Sequence, residues 1–133
     1  MDTLARWSPQ MLAILRIMAA LLFIEHGTMK LFDFPPSLDG GADPLPPLML
    51  AAALIELVGG ALLAIGLFTR SVAFICAGQM AVAYFMAHAP QSFWPGLNGG
   101  DASILFCFIF LYLVCAGGGA WSVDALRRRS DAG

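Results

Sequence analysis

Apolar residues fill four stretches of the chain, and proline, glycine and charge concentrate between them. The first stretch, residues 10–32 (QMLAILRIMAALLFIEHGTMKLF), is long enough to cross a ~30 Å hydrocarbon core at ~1.5 Å per helical residue. Three more follow at about 47–68, 71–89 and 102–121, so the pattern predicts an all-α, four-transmembrane-helix bundle. The Pro/Gly-rich loop at 33–46 holds Pro35, Pro36, Pro44 and Pro46, which rule out a regular helix or central strand there. The tight connection at 69–71 predicts that helices two and three are antiparallel neighbours.

The first helix interrupts its own pattern with Arg16, Glu25, His26 and Lys30. A charge near the bilayer centre costs ~2.5–3.5 kcal/mol or more, so such residues persist where they pair, line a cavity or act. At ~100° per residue Arg16, Phe23, His26, Gly27 and Lys30 share one face, whereas Glu25 points almost opposite Arg16. Helix two sets Glu56 among Ala52, Ala53 and Gly60, a small-residue pattern suited to close helix packing. Helical rise puts Arg16 ~9 Å and Glu56 ~18 Å from the inner ends, a gap that long side chains could close. An Arg16–Glu56 ion pair that fixes helix register is therefore the structural expectation.

Helix three aligns Met80, Tyr84 and His88 at i, i+4 and i+8. His88 falls ~26 Å and His26 ~24 Å from the inner side, so the two histidines share a depth. They serve either as separate interfacial residues, as a shared proton-handling or quinone-headgroup site with Glu25, Lys30 and Tyr84, or as metal or haem ligands. No ligand-spacing motif supports the last, and neither a metal nor a haem is expected. Gln79 should hydrogen-bond across the bundle, and Asp101 reads as the cap of helix four.

Composition agrees with the membrane class: 59% of the 133 residues are hydrophobic and 12% charged, against ~25% charged in soluble domains. One domain over residues 1–133 is expected, with no room for a separate soluble catalytic unit. The net charge of −2 and a single basic cluster, Arg127–Arg129, exclude nucleic acid as the expected partner. The apolar run Ile17–Ile24 lacks a small-x-small cleavage site, so the first helix is expected to be retained.

Arg6, Arg70 and Arg127–Arg129 all fall on one side of a four-helix topology, while loops 33–46 and 89–100 carry no Lys or Arg. The positive-inside rule puts both termini in the cytoplasm, with Trp7 and Trp121 at the inner interface and Trp94 at the outer one. Cys76, Cys107 and Cys115 lie inside spans with no CxxC, which suits small apolar fillers rather than a redox pair. No P-loop, Rossmann glycine pattern, HExxH, GxSxG or zinc-spaced cysteines occur, so no catalytic residue is identified.

Several of these residues together resemble the DoxX family of small inner-membrane proteins. The likeness runs through Arg16, Leu22-Phe23, His26-Gly27, Lys30-Leu31-Phe32, Glu56, Gly59-Gly60, Leu63, Gly66-Leu67, Thr69-Arg70, Ala83-Tyr84, His88 and Asn98-Gly99-Gly100. It spans all four helices. The resemblance implies a multi-pass protein of a bacterial-type inner membrane, loosely associated with redox chemistry. The related DoxD subunit belongs to a thiosulfate:quinone oxidoreductase, but this chain is too short for that subunit's extra regions, so thiosulfate oxidation does not carry over. More distant relatives act as membrane assembly factors.

The expected role is the membrane subunit of a redox system, binding a quinone-like ligand or relaying protons in the outer leaflet through His26, Lys30, Tyr84, His88 and Glu25. Electrons would need a partner oxidoreductase, since nothing in the chain carries them. A second copy of the chain is a further expected partner. The alternatives are a small solute or proton transporter, whose pathway would run along a charged stripe from Arg16 through Glu56 to His26, and an assembly factor or scaffold with no ligand.

Overall fold

The helix boundaries follow from the breakers in the sequence. A computed structural model describes residues 2–38, 40–41 and 43–133, so Asp39, one of the three acidic residues of the first loop, lies outside the described residues. Helix α1, Ser8–Phe32, starts with Pro9 in its first turn and stops at Asp33, which adopts a left-handed φ of 49°. Helix α2, Pro47–Ile65, opens on proline and stops at Gly66, whose φ of 71° suits a residue without Cβ. Helix α3, Thr69–His88, follows after three residues. Helix α4 is Asp101–Ala116, and α5 is Val123–Asp131. Among the described residues the rest is turn, coil and single-turn helix, with no strand.

Four features depart from the sequence pattern. The turn expected at 69–71 lies at 66–68, because Gly66 ends α2 early and α3 starts at Thr69 rather than 71. Helix α2 ends at Ile65 rather than 68 because Gly66 caps it. Helix α4 ends at Ala116 rather than 121, because Gly117 turns the chain at φ 80° and Gly119 repeats a left-handed φ of 73°. Asp101 is not the cap of α4: Gly100 occupies that position, and the Asn98 side chain accepts its N–H at 2.8 Å. Asp101 lies instead in the first turn, where its charge complements the helix dipole.

Helices α1, α2 and α3 are long and apolar enough to cross a membrane, and α4 is a shorter apolar helix of 16 residues. Helix α1 packs along α2, and α3 along α4. The two pairs meet over Phe23, Leu63, Cys76, Phe106, Phe110 and Leu113, with Phe23 edge-on to Phe110 at 4.9 Å. The α1–α2 contact is close because of its glycines. A Cβ on Gly60 would stand 2.5 Å from Ile24, and one on Gly27 would stand 3.1 Å from the Ala53 carbonyl. Large apolar side chains such as Leu21, Val58, Phe74, Ile75, Leu105 and Phe108 face outward, as helices in lipid require.

The Ala120 N–H donates to Pro9 O at 3.0 Å, and Asp124 binds the start of α3. The beginnings of α1 and α3, the ends of α2 and α4, and α5 therefore share one end of the bundle, the termini end. The opposite, loop end carries the loops after α1 and α3.

Two stretches depart from α-helical winding: Ile55–Gly59 in α2 and Tyr84–His88 at the end of α3 each form a π-turn. Such turns carry an extra residue per turn and rotate the side chains on them, and they recur at functional sites. Here they carry Glu56, Tyr84 and His88.

Candidate functional site

The first π-turn presents Glu56 toward α1 beside Gly27, whose missing side chain leaves room for the carboxylate's own Cβ. Lys30, one turn further along α1, reaches back and places Nζ 2.7 Å from both Glu56 oxygens. From α3, Gln79 Nε2 donates to Glu56 Oε1 at 3.1 Å. The cross-bundle role expected of Gln79 is thus observed, on a charged partner. Glu56 is 1% exposed and Lys30 25%, so the carboxylate is sealed and the ammonium reaches toward the loop end.

The expected Arg16–Glu56 pair does not form. Glu56 sits level with Gly27, which is eleven residues or ~16 Å along α1 from Arg16, too far for two side chains to span. Arg16 lies instead at the end of α2, where the last carbonyls lack helical partners. Its guanidinium donates to Leu63 O at 2.8 Å, Ala64 O at 3.0 Å, Gly118 O at 2.9 Å and Trp121 O at 2.9 Å. A cation at the negative end of the α2 dipole needs no carboxylate to be accommodated. Gly66 is required twice over, for its φ and because a Cβ there would stand 2.5 Å from Arg16 Nη1.

Neighbouring residues complete this termini-end knot. Asp124 of α5 accepts the Thr69 N–H at 2.9 Å and the Phe68 N–H at 3.0 Å, so α5 caps the start of α3. Burial works to raise the Asp124 carboxyl, but those backbone donors and the charge of Arg128 outweigh it and hold it below the ordinary carboxylate range. Arg70 donates to Val114 O and Cys115 O and so caps the C-terminal end of α4, which lies in the same knot. Gly66, Thr69 and Arg70 thus all take part in this knot.

The second π-turn builds a separate network at the loop end. His88 Nδ1 lies 2.9 Å from the Asn98 carbonyl. A carbonyl only accepts, so Nδ1 carries the proton and Nε2 is left as an unprotonated acceptor in the neutral ring. The Asn98 amide donates to Tyr84 Oη at 3.3 Å and to Ser92 O at 2.9 Å. The Tyr84 and His88 rings lie nearly parallel, 28° apart, with centroids 6.4 Å apart. Gly100 makes room for the phenol, since a Cβ there would meet the Tyr84 ring at 2.6 Å.

The structure thus brings Tyr84 and His88 together, and Lys30 together with Glu56. Among the described residues no hydrogen bond joins the two groups. His26 is exposed and stands edge-on to Phe106 at 5.9 Å, and Glu25 is exposed on the outer face of α1. Asn98 is the organising residue; the sequence pattern singles it out with Gly99 and Gly100 but does not place it among the site residues. Its signal was an Asn before two glycines at a helix start. Among the described residues, no three His, Cys, Asp or Glu side chains gather as a metal site.

Outward-facing apolar helices, internally satisfied charges and polar networks at both ends define an all-helical, multi-pass membrane protein. The DoxX family profile matches residues 11–89, more than half of the chain, and the chain belongs to the DoxX family. It is 44% identical over 128 residues to a protein of Haemophilus influenzae that carries the description "Uncharacterized protein"; the alignment covers 93% of this chain and 96% of that one. No solved structure matches the chain.

Proposed function

We propose that this protein is the membrane subunit of a redox system in a bacterial-type inner membrane, crossing four times with both termini cytoplasmic, and that it binds a quinone headgroup at the loop end. The orientation rests on the arginines clustered at the termini end. The observation that carries the site is the His88–Asn98 hydrogen bond, which fixes the imidazole tautomer and leaves Nε2 as an acceptor beside the Tyr84 phenol.

Tyr84 Oη accepts from Asn98, so its own proton is free to donate to a quinone carbonyl. His88 Nε2 would accept a hydrogen bond from one quinol hydroxyl and take up that proton on oxidation, the second proton passing to water at the loop end. Bound quinone supplies two-electron chemistry, and the electrons pass to or from a flavin, haem or iron–sulfur centre of a partner oxidoreductase. Lys30, a quarter exposed above Glu56, keeps one Nζ–H beyond the two it gives the carboxylate and can offer it to a headgroup oxygen, while the ion pair as a whole is neutral. His26 and Glu25 fall outside this constellation and are assigned only peripheral roles.

Photolabelling in native membranes with an azido-ubiquinone analogue tests the site. Label should concentrate in residues 84–100 and fall at least tenfold with His88→Ala. Label spread evenly over the lipid-facing helices contradicts it.

A scaffold reading draws support from the Lys30–Glu56–Gln79 contacts, which suffice to fix helix register. Full complementation by a Lys30→Met/Glu56→Leu/His88→Ala variant favours the scaffold. The transporter alternative loses its charged stripe, because Arg16 is spent on four carbonyls at the far end from His26.

A further inference from the structure

At the termini end a groove of about 650 Å³ runs between the start of α1, the end of α4 and α5. Leu12, Tyr112, Ala116 and Ala120 give it an apolar floor, and Arg128 and Arg129 of α5 stand at its rim. Both arginines are exposed, and among the described residues neither donates a hydrogen bond. The groove lies beside exposed Trp121 and Leu126, 63% and 61% accessible, which mark the level where a short amphipathic helix meets lipid.

A second cleft nearby, of about 330 Å³, is also lined by arginines, but two of its cations are engaged. Arg70 caps α4, Arg127 lies over the Phe68 ring at 5.2 Å, and Asp124 and Asp131 line the same cleft. The larger groove combines a long apolar floor with two cations free of hydrogen bonds: Arg128 lines both clefts and its charge also bears on Asp124, Arg129 lines only this groove, and no carboxylate lines it.

We propose that this groove holds one anionic phospholipid, its phosphodiester on Arg128 and Arg129 and an acyl chain along Leu12, Tyr112, Ala116 and Ala120. Basic pockets beside transmembrane helices recognise anionic headgroups in this way: one phosphodiester offsets half of the two positive charges, whereas a zwitterionic lipid brings its own cation and adds no net charge. The apolar floor selects a lipid over a free phosphate, because a soluble anion would leave that floor exposed. The positive-inside effect needs only the charge of this arginine run; the groove adds a shape. Bound lipid would clamp α5 against α1 and α4, and so hold Asp124 on the start of α3.

The test uses the purified full-length chain in detergent, with native mass spectrometry against dioleoyl phosphatidylglycerol and dioleoyl phosphatidylcholine at equal concentrations and glycerol 3-phosphate as soluble competitor. Retention should favour phosphatidylglycerol at least tenfold. Arg128→Gln/Arg129→Gln should lower it roughly 30-fold, about fivefold per arginine. Ala116→Phe, which fills the groove and keeps both arginines, should also lower it, while Arg6→Gln should leave it unchanged. Circular dichroism of each variant checks that the helices persist. Equal retention of the two lipids overturns the proposal, as does an unaffected double arginine variant. An equal loss with Arg6→Gln would mean diffuse charge attraction and overturns the groove. Displacement of phosphatidylglycerol by equimolar glycerol 3-phosphate would make a soluble phosphate the occupant and overturns the lipid assignment.

Discussion

Lys30 Nζ sits 2.7 Å from both carboxylate oxygens of Glu56, and this bond neutralises a fully buried charge from the one side that opens toward the loop end. The two partners are unequal. Removing Lys30 strands a carboxylate that has only Gln79 left, whereas removing Glu56 leaves an ammonium that can extend to water.

The first prediction follows from that inequality. Lys30→Met should destabilise the protein by ~3 kcal/mol or more, the usual cost of breaking a buried pair. Glu56→Leu should cost less, and Lys30→Met/Glu56→Leu should recover much of the Lys30→Met loss. Thermal melts in detergent read all three. Additive losses would contradict the pairing.

Arg16 predicts the opposite pattern. Its losses should add to those of Glu56→Leu, since the two residues share no contact. Arg16→Lys should be nearly as damaging as Arg16→Leu, because one ammonium cannot reproduce a planar fork serving four carbonyls. A melting temperature close to wild type for Arg16→Lys would contradict this.

Asp124 predicts a pH dependence. Its folded-state pKa is held below the ordinary value, so it adds stability above that value, and the contribution is lost as pH falls through the folded pKa. Below about pH 4 the wild type should therefore lose a component that Asp124→Asn lacks. At neutral pH Asp124→Ala should cost ~1 kcal/mol, as loss of a helix cap does. Melts of wild type and both variants from pH 3 to 7 read the difference, and parallel curves would contradict it.

The helices and their approximate spans were legible because apolar runs of membrane length have few other readings. The end of α4 was not. An apolar run across Gly117-Gly118-Gly119 looks continuous in composition, but left-handed φ angles at Gly117 and Gly119 break it. Arg16 and Glu56 were legible as buried charges that need partners. Which partners they take depends on the inter-helix register set by Gly27 and Gly60, and on a π-turn that no local propensity announces. A backbone carbonyl is also an invisible partner in sequence, because every residue has one. Depth counting grouped His26 with His88, but only His88 lies beside the Asn98 loop.

Topology is the fourth prediction. Reporter fusions at positions 40 and 97 should read outside, and fusions at both termini should read inside. A cytoplasmic signal at 40 or 97 would contradict the four-span arrangement.

The most direct test of the central claim is the quinone content of lipid extracted from affinity-purified protein, measured by liquid chromatography–mass spectrometry for wild type, His88→Ala and Tyr84→Phe. The wild type should retain about one quinone per chain, well above its share of bulk membrane lipid. His88→Ala should lose at least tenfold of that, and Tyr84→Phe less, since it keeps the ring and loses one hydrogen bond of ~1 kcal/mol. Wild-type quinone at the level of bulk lipid, or undiminished quinone in His88→Ala, would contradict the claim.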